Sequence, residues 1–545
     1  MDLNLAEIHE AIAAAVPDRE CIVFRDRRLT WRDVTDRTRR LANHLRSRGL
    51  GLHRERGELA GWQSGQDHLA IYLHNGNEYL EAMLGAFKAR VAPFNVNYRY
   101  VAEELVYLLR DAGARAIVYH ACFARLLAEV LPELPDLDVL LQVPDESGNS
   151  LLPGAIDYES ALAHASAERP PLVWSPDDLY VLYTGGTTGM PKGVLWRQAD
   201  VLVAALGGHR PDRAEFESLG AMVEHARRGR ARALPAPPFM HGAAHWNAFT
   251  TFHAGGTTVI QSEVRRLDPD DVWRTIERER VSALLIVGDA FARPLIDQLR
   301  RSSYDLATLR LLVSGGAPLN LGMKRELHEL LPKVTILDAV GSSETGRQGQ
   351  IASTSGANAV SGTFEPVPDN CVLSADRSRI LAPGSDEVGW LAKWGRVPLG
   401  YLGDERKTAE TFPVIGGVRY SLPGDRARMR ADGAIELLGR DSVTINTGGE
   451  KVYAEEVEHA LKHHPAVWDA VVVGRPSERW GQEVVALVKL REGATAVDRD
   501  LLDECARHLA RYKLPKAILF LDEIVRSPSG KADYRWARER ATRTE

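Results

Sequence analysis

Residues 183–193 read YTGGTTGMPKG, and this stretch decides how the rest of the chain is interpreted. It overlaps the end of the apolar run Leu179–Thr184, whose length and composition are typical of a buried strand. Glycines here allow a close approach to a ligand, and successive amides in such a turn can form an anion-binding concavity. Threonine hydroxyls and Lys192 add donors for phosphate oxygens. The stretch therefore predicts a phosphate-binding turn at the end of a strand.

The stretch differs from a Walker A loop, because that pattern needs Gly-Lys-Ser/Thr and here Lys192 follows Pro191. A mobile surface loop rich in glycine and threonine is the plainer alternative. The concentration of hydroxyls, glycines and one lysine in so short a span favours phosphate binding.

On both sides of this stretch, short apolar runs alternate with helical patterns as far as Val340. Apolar residues recur at helical spacing between Leu80 and Phe87, and another helix is predicted across Leu319–Leu331. The strand candidates are Leu69–Leu73, Ala116–Tyr119, Leu179–Thr184, Ala283–Val287, Leu309–Val313 and Val334–Leu337. Strands separated by helix-length connections predict an α/β domain with mixed, substantially parallel sheets.

The pattern changes after Gly439, where shorter elements predict a compact α+β unit. These elements are 443–445, 455–461, 470–473, 484–490, 501–509 and 518–521. We therefore predict two domains, residues 1–439 and 440–545, with the boundary near Gly439–Ser442. The polar, arginine-rich stretch Gly207–Arg232 has little periodicity and is interpreted as a surface insertion, its arginines lying on a solvated face.

Composition and charge exclude several classes of protein. The 545 residues include 68 Lys and Arg against 74 Asp and Glu, a net charge of −6, so no basic field points to nucleic acid. Cys21, Cys122, Cys371 and Cys505 form no CxxC pair, which argues against a metal cluster and fits a reducing cytoplasm. Without a signal core or a run of about 18 apolar residues, a soluble cytoplasmic protein is predicted. Peripheral membrane contact and a homodimer stay open.

The stretch at residues 183–193 closely resembles the signature of the adenylate-forming superfamily, which includes acyl-CoA synthetases, peptide-synthetase adenylation domains and luciferases. Further segments match in the family's order: PPFMHG (237–242), SGGAP (314–318), GSSET (341–345), YSLPGD (420–425), GR (439–440), NTGGEKVY (446–453) and SPSGK (527–531). The chain is thereby identified as a member of this superfamily. The resemblance implies a large N-terminal domain that binds ATP and the acid, and a small C-terminal domain that moves.

The resemblance also implies which residues bind the nucleotide and its metal. Glu344, with Thr184, is the candidate ligand of Mg²⁺, an ion that prefers hard oxygens shared with phosphates. Asp425 and Arg440 would contact the ribose, since a carboxylate can accept hydrogen bonds from both hydroxyls. The ATP- and AMP-binding candidates are Thr184, Gly185, Gly186, Thr187, Thr188, Gly189, Lys192, Gly315, Gly316, Ala317, Pro318, Ser343, Thr345, Asp425 and Arg440. From the residues alone, Glu344 would be a solvated glutamate and Gly-Asp an ordinary turn.

Three residues are implied to be catalytic: Lys531, His241 and Glu344. Lys531 would bridge the carboxylate and phosphate oxygens, and His241 would lie between the acyl pocket and the nucleotide. Without the resemblance, a lysine near a chain end is usually a solvated charge, and a histidine at this place is more often structural.

The remaining implied contacts concern the thiol and the acid. The candidates facing the pantetheine arm of coenzyme A are Gly448, Gly449, Glu450 and Lys451, and those lining the acyl pocket are Trp246, Gly288, Phe291 and Val340. Small residues after His241 leave room for a bulky hydrophobic acid, and no charge is placed to hold an ammonium group. The plainer alternative is that these small residues only let helices and strands pack.

Three positions depart from the family's common pattern. Val340 stands where many members have an aromatic residue that stacks on adenine, so that contact is in doubt. Pro423 replaces the usual residue before Gly-Asp, and Ser442 falls where the hinge between domains is commonly Asp or Lys. A charged hinge therefore does not carry over, although a rotation about Arg440–Ser442 is still implied.

The sequence thus predicts an ATP-dependent, AMP-forming acyl-CoA ligase that uses Mg²⁺ and makes an acyl-adenylate. Resemblance of residues 92–100 and 446–451 to actinobacterial fatty-acid and steroid-side-chain ligases implies a medium- or long-chain fatty acid or a steroid side-chain acid as substrate. Two alternatives stay open at this point. The acceptor could be the pantetheine of a carrier protein, or the chain could be a non-catalytic acid-binding relative.

Overall fold

A computed structural model describes residues 2–184, 190–210, 212–317, 319–355, 363–440, 443–447, 450–477, 481–509, 511–526 and 530–543, with only the backbone at 440, 446, 450, 451 and 481. Its helices are α1 Leu5–Ala15, α2 Trp31–Ser47, α3 Asn77–Ala89, α4 Ala102–Asp111, α5 Ala124–Val130, α6 Tyr158–Ala163, α7 Gln198–Ala204, α8 Leu219–Arg228, α9 Gly242–His253, α10 Pro269–Glu279, α11 Gly288–Arg301, α12 Leu321–Leu330, α13 Glu405–Thr411, α14 Ala454–Leu461, α15 Asp498–His508 and α16 Tyr534–Thr542.

The strands of the N-terminal part are β1 Glu20–Phe24, β2 Arg27–Thr30, β3 His68–Tyr72, β4 Ala92–Asn95, β5 Ala114–His120, β6 Val139–Val143, β7 Ile156–Asp157, β8 Leu179–Thr184, β9 Lys192–Arg197, β10 Arg232–Pro235, β11 Thr257–Ile260, β12 Ala283–Ile286, β13 Leu311–Gly315, β14 Thr335–Ser342, β15 Gly346–Ser353, β16 Thr363–Pro366, β17 Asn370–Leu373, β18 Gly389–Trp394, β19 Gly400–Tyr401, β20 Val414–Ile415, β21 Val418–Ser421, β22 Asp425–Met429 and β23 Ile435–Arg440. Those that follow are β24 Thr444–Thr447, β25 Glu450–Tyr453, β26 Val467–Ser477, β27 Gly481–Leu490 and β28 Ala517–Phe520.

Three sheets form the N-terminal part. One sheet is parallel throughout, in the order β4-β3-β5-β6-β7. A larger sheet begins β2-β1-β11-β10-β12-β13-β14, where β1, β11, β10, β12, β13 and β14 run parallel, and continues through antiparallel strands from β15 onward. The third sheet, β19-β9-β8, is antiparallel and carries the predicted phosphate-binding stretch. The predicted α/β class with mixed, substantially parallel sheets is confirmed.

Helices α2 and α3 show how the sequence covers the parallel strands. A capping box at Thr30 and Asp33 starts α2, because each side chain accepts a hydrogen bond from the other residue's backbone amide. Every residue of α3 is buried, and Leu41, Leu84 and Phe87 belong to one hydrophobic cluster. Burial of such side chains is the main free-energy source that holds these layers together.

The C-terminal unit consists of a β25-β24-β27-β26 sheet, with β28 parallel to β27 and helices α14 to α16 packed against it. Its core is rich in β-branched residues, since β26 and β27 bury a run of valines. Arg440 still belongs to β23 of the large sheet, and the next described strand begins at Thr444. Lys462 lies 3.7 Å from Asp289, and the Arg293 guanidinium lies 5.6 Å from the centre of the Trp468 ring, so both parts meet at α11.

The stretch Gly207–Arg232 is not the surface insertion that the sequence predicted. Residues 219–228 form α8, whose Met222 is buried, and Arg232 begins the internal strand β10. Arg232 is accommodated because Glu20 lies 2.5 Å and Glu279 lies 3.2 Å from its guanidinium. The prediction failed here because few apolar residues mark α8 and because an arginine starts a strand. The other arginines of the run, at 227, 228 and 230, are exposed as predicted.

Helix length and the state of the cysteines bear on the membrane and disulfide predictions. Within the described ranges, every helix is too short or too polar to cross a lipid bilayer. All four cysteines are free thiols, and three of them are buried.

Gly85 in α3 provides a test of the packing between α2 and α3. Alanine usually stabilises a helix interior by roughly 0.5–1 kcal/mol relative to glycine. At this position a Cβ would lie 2.6 Å from Leu41 Cδ2 and 2.9 Å from Leu41 Cβ. The destabilisation from this overpacking therefore outweighs the gain in helix propensity. We expect Gly85→Ala to lower the free energy of unfolding by about 1–2 kcal/mol, as measured by urea unfolding.

Gly220 in α8 is the matched control. A Cβ there meets only Ser218 Oγ, at 3.7 Å, so Gly220→Ala should leave stability unchanged or raise it by a few tenths of a kcal/mol. A Gly85→Ala protein as stable as the unchanged one would contradict the described contact between α2 and α3.

Candidate functional site

The two strands on either side of the predicted phosphate-binding turn are firmly placed. β8 and β9 pair antiparallel so that Thr184 faces Lys192, while residues 185–189 lie outside the described part. A Cβ at Gly193 would lie 2.8 Å from the Tyr183 ring, so only glycine fits beneath that ring. The Tyr183 hydroxyl in turn donates to Asp111 Oδ2 at 2.7 Å. Both ends of the turn are therefore fixed by packing and hydrogen bonds.

Lys192 and Glu344 are brought together through two residues that the sequence did not single out. The Lys192 ammonium forms an ion pair with Asp404 and lies 5.9 Å from the centre of the Tyr401 ring. Although burial opposes it, the hydrogen bond and charge of Lys192 lower the pKa of Asp404. The Tyr401 hydroxyl donates to Glu344 Oε1 at 3.0 Å. The predicted phosphate-binding lysine and the predicted metal ligand thus belong to one polar cluster.

The turn that carries Glu344 is held at several points. Trp196 Nε1 donates to the Ser343 carbonyl at 2.8 Å, and Ser421 Oγ donates to the Glu344 carbonyl at 2.6 Å. The buried Thr345 hydroxyl accepts from the Ser342 amide at 3.1 Å. These bonds fix the backbone of the predicted motif, and the Glu344 carboxylate is held separately by the Tyr401 hydroxyl.

Two asparagines hold the segment that precedes His241. Asn95 Nδ2 donates to the carbonyls of Tyr183 and Met240, each at 2.8 Å, and its Oδ1 accepts from the Tyr183 amide at 2.8 Å. Asn75 accepts from the Phe239 amide at 2.6 Å and donates to a neighbouring carbonyl at 3.0 Å. The end of the predicted phosphate-binding strand and the predicted acyl-pocket segment therefore share one anchor, Asn95.

His241 lies at the N-cap of α9 and close to Lys531. Its buried Nε2 finds no hydrogen-bond partner among the described residues. Burial, and after it the charge of Lys531, lowers the pKa of His241 to about 3, so the imidazole is neutral at neutral pH. A Cβ added at Gly530, the residue before Lys531, would lie 3.3 Å from Val287 Cγ1 and from Ala290 Cβ, so the backbone of Gly530 packs closely against these two residues. Gly530 and Lys531, the described residues of the predicted C-terminal lysine motif, thus lie against the N-terminal part, and residues 527–529 lie outside the described residues.

A directional chain of hydrogen bonds follows His241 into α9. His245 Nδ1 lies 2.6 Å from the Phe239 carbonyl, so Nδ1 must carry the proton and Nε2 must accept from the Tyr180 hydroxyl. The Tyr180 oxygen then accepts from Trp246 Nε1 at 2.7 Å. The chain fixes the orientation of the Trp246 indole and requires a neutral His245.

The predicted nucleotide contacts fall at strand ends. β13 ends at Gly315, and Gly316 has a φ of +88°, which favours glycine. Ala317 follows it, and Pro318 lies outside the described residues. Asp425 and Arg440 are paired in register between β22 and β23. The backbones of the two residues predicted to contact the ribose therefore lie side by side in the sheet.

The predicted acyl-pocket residues are less closely grouped. Trp246, Phe291 and Val340 pack against three different hydrophobic clusters, and Gly288 begins α11 with a φ of +50°. Of the predicted coenzyme A contacts, Gly448 and Gly449 lie outside the described part, and Glu450 and Lys451 belong to β25. Their roles stay predictions.

Sequence reasoning missed four polar residues of the site. Asn75, Asn95, Tyr401 and Asp404 hold the predicted residues in place, and although Asn95 lies within the stretch 92–100 used for the substrate resemblance, no role was predicted for any of the four. An available signal was that Asn75 closely follows the predicted buried strand Leu69–Leu73, where a polar residue usually needs a partner. The strand Ala92–Asn95, which Asn95 ends, was not among the predicted strands.

Comparison with protein families gives two matches. The family described as "AMP-binding enzyme" matches residues 9–385, and the one described as "AMP-binding enzyme C-terminal domain" matches residues 456–531. The chain is 57% identical over 536 residues to the medium-chain acyl-CoA ligase Mig of Mycobacterium avium, covering 98% of this chain and 97% of the relative. It is 40% identical to the 3-oxocholest-4-en-26-oate–CoA ligase of Rhodococcus rhodochrous, covering 99% of this chain and 96% of the relative.

Solved structures share the fold. The anthranilate CoA ligase AuaEII in complex with anthranoyl-AMP superposes with a TM-score of 0.82 at 22% identity, covering 99% of this chain and 97% of that one. ATP-bound MatB from Rhodopseudomonas palustris gives a TM-score of 0.80 at 23% identity and 99% coverage of both chains. The predicted superfamily resemblance is confirmed by the two family matches and by the relatives that are 40% or more identical.

The buried His245 predicts a pH dependence of stability. Burial lowers its folded-state pKa from 6.5 to about 4, so between these values the unfolded chain binds a proton that the folded one does not. The free energy of unfolding is therefore not reduced by protonation of His245 above pH 6.5. It falls as the pH drops from 6.5 toward 4, because the unfolded chain takes up the proton first. We expect His245→Gln to reduce the pH slope of the unfolding free energy in this window by up to about 1.4 kcal/mol per pH unit, measured by urea unfolding.

The exposed His164 changed to glutamine is the matched control and should leave the slope unaltered. Equal slopes in the His245→Gln and unchanged proteins would contradict a neutral, buried His245.

Proposed function

Because the chain belongs to the AMP-binding enzyme family, we propose that it is an ATP-dependent, AMP-forming acyl-CoA ligase whose substrate is a hydrophobic carboxylic acid. In the first half-reaction, an oxygen of the carboxylate attacks the α-phosphorus of ATP, and pyrophosphate leaves. In the second, the thiol of coenzyme A loses its proton and attacks the acyl carbonyl, and AMP leaves. One acid, one ATP and one thiol thereby become the thioester, AMP and pyrophosphate.

The observation that carries the proposal is the anchor at Asn95. It ties the end of the predicted phosphate-binding strand to Met240, and Lys531 acts electrostatically on the adjacent His241. These contacts support the proposal because they bring the predicted phosphate-binding element, the predicted acyl-pocket segment and the predicted catalytic lysine close to one another. Adenylation depends mainly on such positioning and on charge neutralisation, since little covalent chemistry falls to the protein.

We assign the charge-stabilising role in adenylation to Lys531. A cation there can contact both the attacking carboxylate and the α-phosphate, two anions that otherwise repel each other. The neutral His241 fits the same site because it adds no second charge and presents a buried Nε2 without a partner in the described residues. Lys192 would hold the departing phosphates, in competition with its present partner Asp404.

The residues present fit a magnesium ion bound mainly through substrate. Glu344 supplies one hard carboxylate, of which Oε1 accepts a hydrogen bond from Tyr401. Among the described side chains, no three His, Cys, Asp or Glu residues converge on a metal site. That arrangement suits Mg²⁺, which usually takes one or two carboxylates and completes its shell with phosphates and water. Bound through Glu344 and Thr184, the ion would neutralise phosphate charge.

We further propose that the C-terminal domain, from about residue 440, moves between the half-reactions. The seat of Gly530 on Val287 and Ala290 favours assignment of the described arrangement to adenylation. The interface around it is polar, including Lys462 with Asp289 at 3.7 Å, and polar interfaces separate at lower cost than apolar ones. A rotation would withdraw Lys531 and bring residues 448–451 toward the thiol.

For the substrate we propose a medium- or long-chain fatty acid or a steroid side-chain acid. Relatives over the whole chain are named as ligases of medium-chain acids and of 3-oxocholest-4-en-26-oate. Gly242, Ala243 and Ala244 take up little space beside the fixed Trp246 indole, and Phe291 is apolar. Such walls suit an apolar acid better than acetate. The free thiols fit our assignment to the reducing cytoplasm.

Replacing Lys531 tests the assignment of the half-reactions. We expect Lys531→Ala to slow adenylation roughly 10²–10³-fold, because a charge-stabilising group is lost. Thioester formation from chemically made acyl-AMP and coenzyme A should persist, since Lys531 is withdrawn in that step. Pyrophosphate exchange measures the first half-reaction, and thioester release measures the second.

The exposed Lys516, also in the C-terminal domain, is the matched control when changed to alanine. Equal damage to both half-reactions in Lys531→Ala would contradict the two-step assignment.

Chain length tests the proposed substrate. Each buried methylene contributes about 0.8 kcal/mol, so kcat/KM for medium- or long-chain or steroid side-chain acids should exceed that for acetate by at least about 100-fold. The measurement is AMP formation with a panel of acids at saturating ATP and coenzyme A. A preference for acetate, benzoate or an amino acid would contradict the substrate assignment and leave the ligase chemistry standing.

A further inference from the structure

The turn that leads into α13 places a carboxylate against the predicted phosphate-binding lysine. β19 pairs antiparallel with β9, the strand that begins at Lys192. Just beyond β19, the Leu402 amide donates to the Gly193 carbonyl at 2.8 Å. Asp404 follows two residues later and forms the ion pair with Lys192. Main-chain bonds to the strand that carries Lys192 therefore fix the position of Asp404.

The two oxygens of the Asp404 carboxylate have separate partners. Oδ1 accepts from the Lys407 amide at 2.8 Å and thereby caps α13, whereas Oδ2 contacts the Lys192 ammonium. Because Oδ1 is bound to the start of the helix, the carboxylate is oriented before any ligand arrives. The same turn is held by Thr408, whose hydroxyl accepts from the Tyr401 amide at 2.9 Å. The negative charge beside Lys192 is therefore a fixed feature of the fold.

A second carboxylate acts on Lys192 from a greater distance. Burial raises the pKa of Asp111, while a hydrogen bond of 2.7 Å from the Tyr183 hydroxyl and the charge of Lys192 oppose that rise. Among the described carboxylates, Asp404 is the one within ion-pair distance of Lys192. The ammonium therefore faces two negative charges before a nucleotide binds, and Asp404 is its direct partner.

This arrangement opposes phosphate binding by Lys192. A phosphate and Asp404 would be two anions beside one ammonium, and like charges a few ångströms apart repel each other. The repulsion acts whether the phosphate displaces the carboxylate or shares the ammonium, which has three donors. In the predicted site, ATP is also held through its base and ribose, whereas pyrophosphate has phosphate contacts alone. The carboxylate therefore leaves pyrophosphate with little else to hold it.

We propose that Asp404 is a positioning residue that promotes the release of pyrophosphate, because it takes back the Lys192 ammonium as this product leaves. The proposal rests on the ligase function given above, since adenylation is the step that produces pyrophosphate. No covalent bond changes in the release, and the ammonium exchanges one anionic partner for another. Acyl-AMP lacks the β- and γ-phosphates, so the intermediate stays bound while pyrophosphate departs.

Early departure of pyrophosphate protects the intermediate. While it is bound, a pyrophosphate oxygen can attack the α-phosphorus of acyl-AMP, which expels the carboxylate and forms ATP again. Weak binding of pyrophosphate shortens the time available for this reversal. Asp404 thereby favours the second half-reaction without touching the acid or the thiol.

Two variants of Asp404 remove its charge and keep the helix cap, because asparagine and serine are also favoured N-cap residues. We expect Asp404→Asn and Asp404→Ser to lower the dissociation constants of pyrophosphate and of ATP by about two- to fivefold, the effect of one partly exposed ion pair. The dissociation constant of AMP should stay unchanged, since AMP has no phosphate for Lys192. Isothermal titration calorimetry at a fixed Mg²⁺ concentration, without acid or thiol, measures all three.

Glu405→Gln is the matched control, because it removes one negative charge from the next residue, which is exposed. It should leave the binding of pyrophosphate and ATP unchanged. Equal tightening in Glu405→Gln, or tightening for AMP in the Asp404 variants, would overturn the ion pair as the cause.

Unchanged pyrophosphate binding in both Asp404 variants would overturn the release role. Weaker binding of pyrophosphate and ATP would overturn it as well, because Asp404 would then hold Lys192 in place for the phosphates. Exchange of labelled pyrophosphate into ATP by the unchanged protein, with the acid present, tests the underlying function separately. An absence of exchange would refute the ligase function and the release role together.

Discussion

The side chain of Asn95 is the constraint on which the site depends. It makes three hydrogen bonds at 2.8 Å that join the end of β8 to the carbonyl of Met240. An asparagine is suited to this because it offers both donors and an acceptor in one plane. Loss of this side chain would leave buried backbone groups of two elements without partners, each at a cost of about 1–3 kcal/mol. The predicted phosphate-binding strand and the predicted acyl-pocket segment are therefore joined through one residue, Asn95, and Asn75 holds the second of them as well.

Around this anchor the charges are arranged so that each can change partner. Lys192 is paired with Asp404, and Glu344 with Tyr401. At the interface, Lys462 is shared between Asp289 at 3.7 Å and Asp469 at 3.2 Å. Contacts of this kind hold one arrangement without making it irreversible, as an enzyme with two half-reactions requires.

Much of the fold followed from the sequence because its strands are short apolar runs with clear ends. The predicted strand Leu179–Thr184 has the observed bounds, and Ala283–Val287 differs by one residue. α8 was missed because its apolar face is limited to a few residues, such as Met222, so periodicity could not reveal it. The start of β10 was hidden by Arg232, whose carboxylate partners Glu20 and Glu279 are distant in sequence.

The site was predicted less completely, because motifs identify residues that touch ligands but not the ones that hold them. Glu344, Lys192 and Asp425 could be assigned from the motifs, whereas Tyr401 and Asp404 could not, since their partners lie far along the chain. The neutral state of His241 likewise depends on burial and on Lys531, which no local pattern reports. The supporting residues and the charge state of His241 are therefore determined by long-range electrostatics and packing, which local sequence motifs do not reveal.

The central claim, that the acid is activated as an acyl-adenylate, is tested most directly by following oxygen. The acid is labelled with ¹⁸O in both carboxylate oxygens and converted with unlabelled ATP and coenzyme A. Because a carboxylate oxygen attacks the α-phosphorus and stays there when the thiol displaces AMP, one ¹⁸O should appear in the phosphate of AMP. Unlabelled AMP, with ¹⁸O in pyrophosphate or in released inorganic phosphate, would contradict the account.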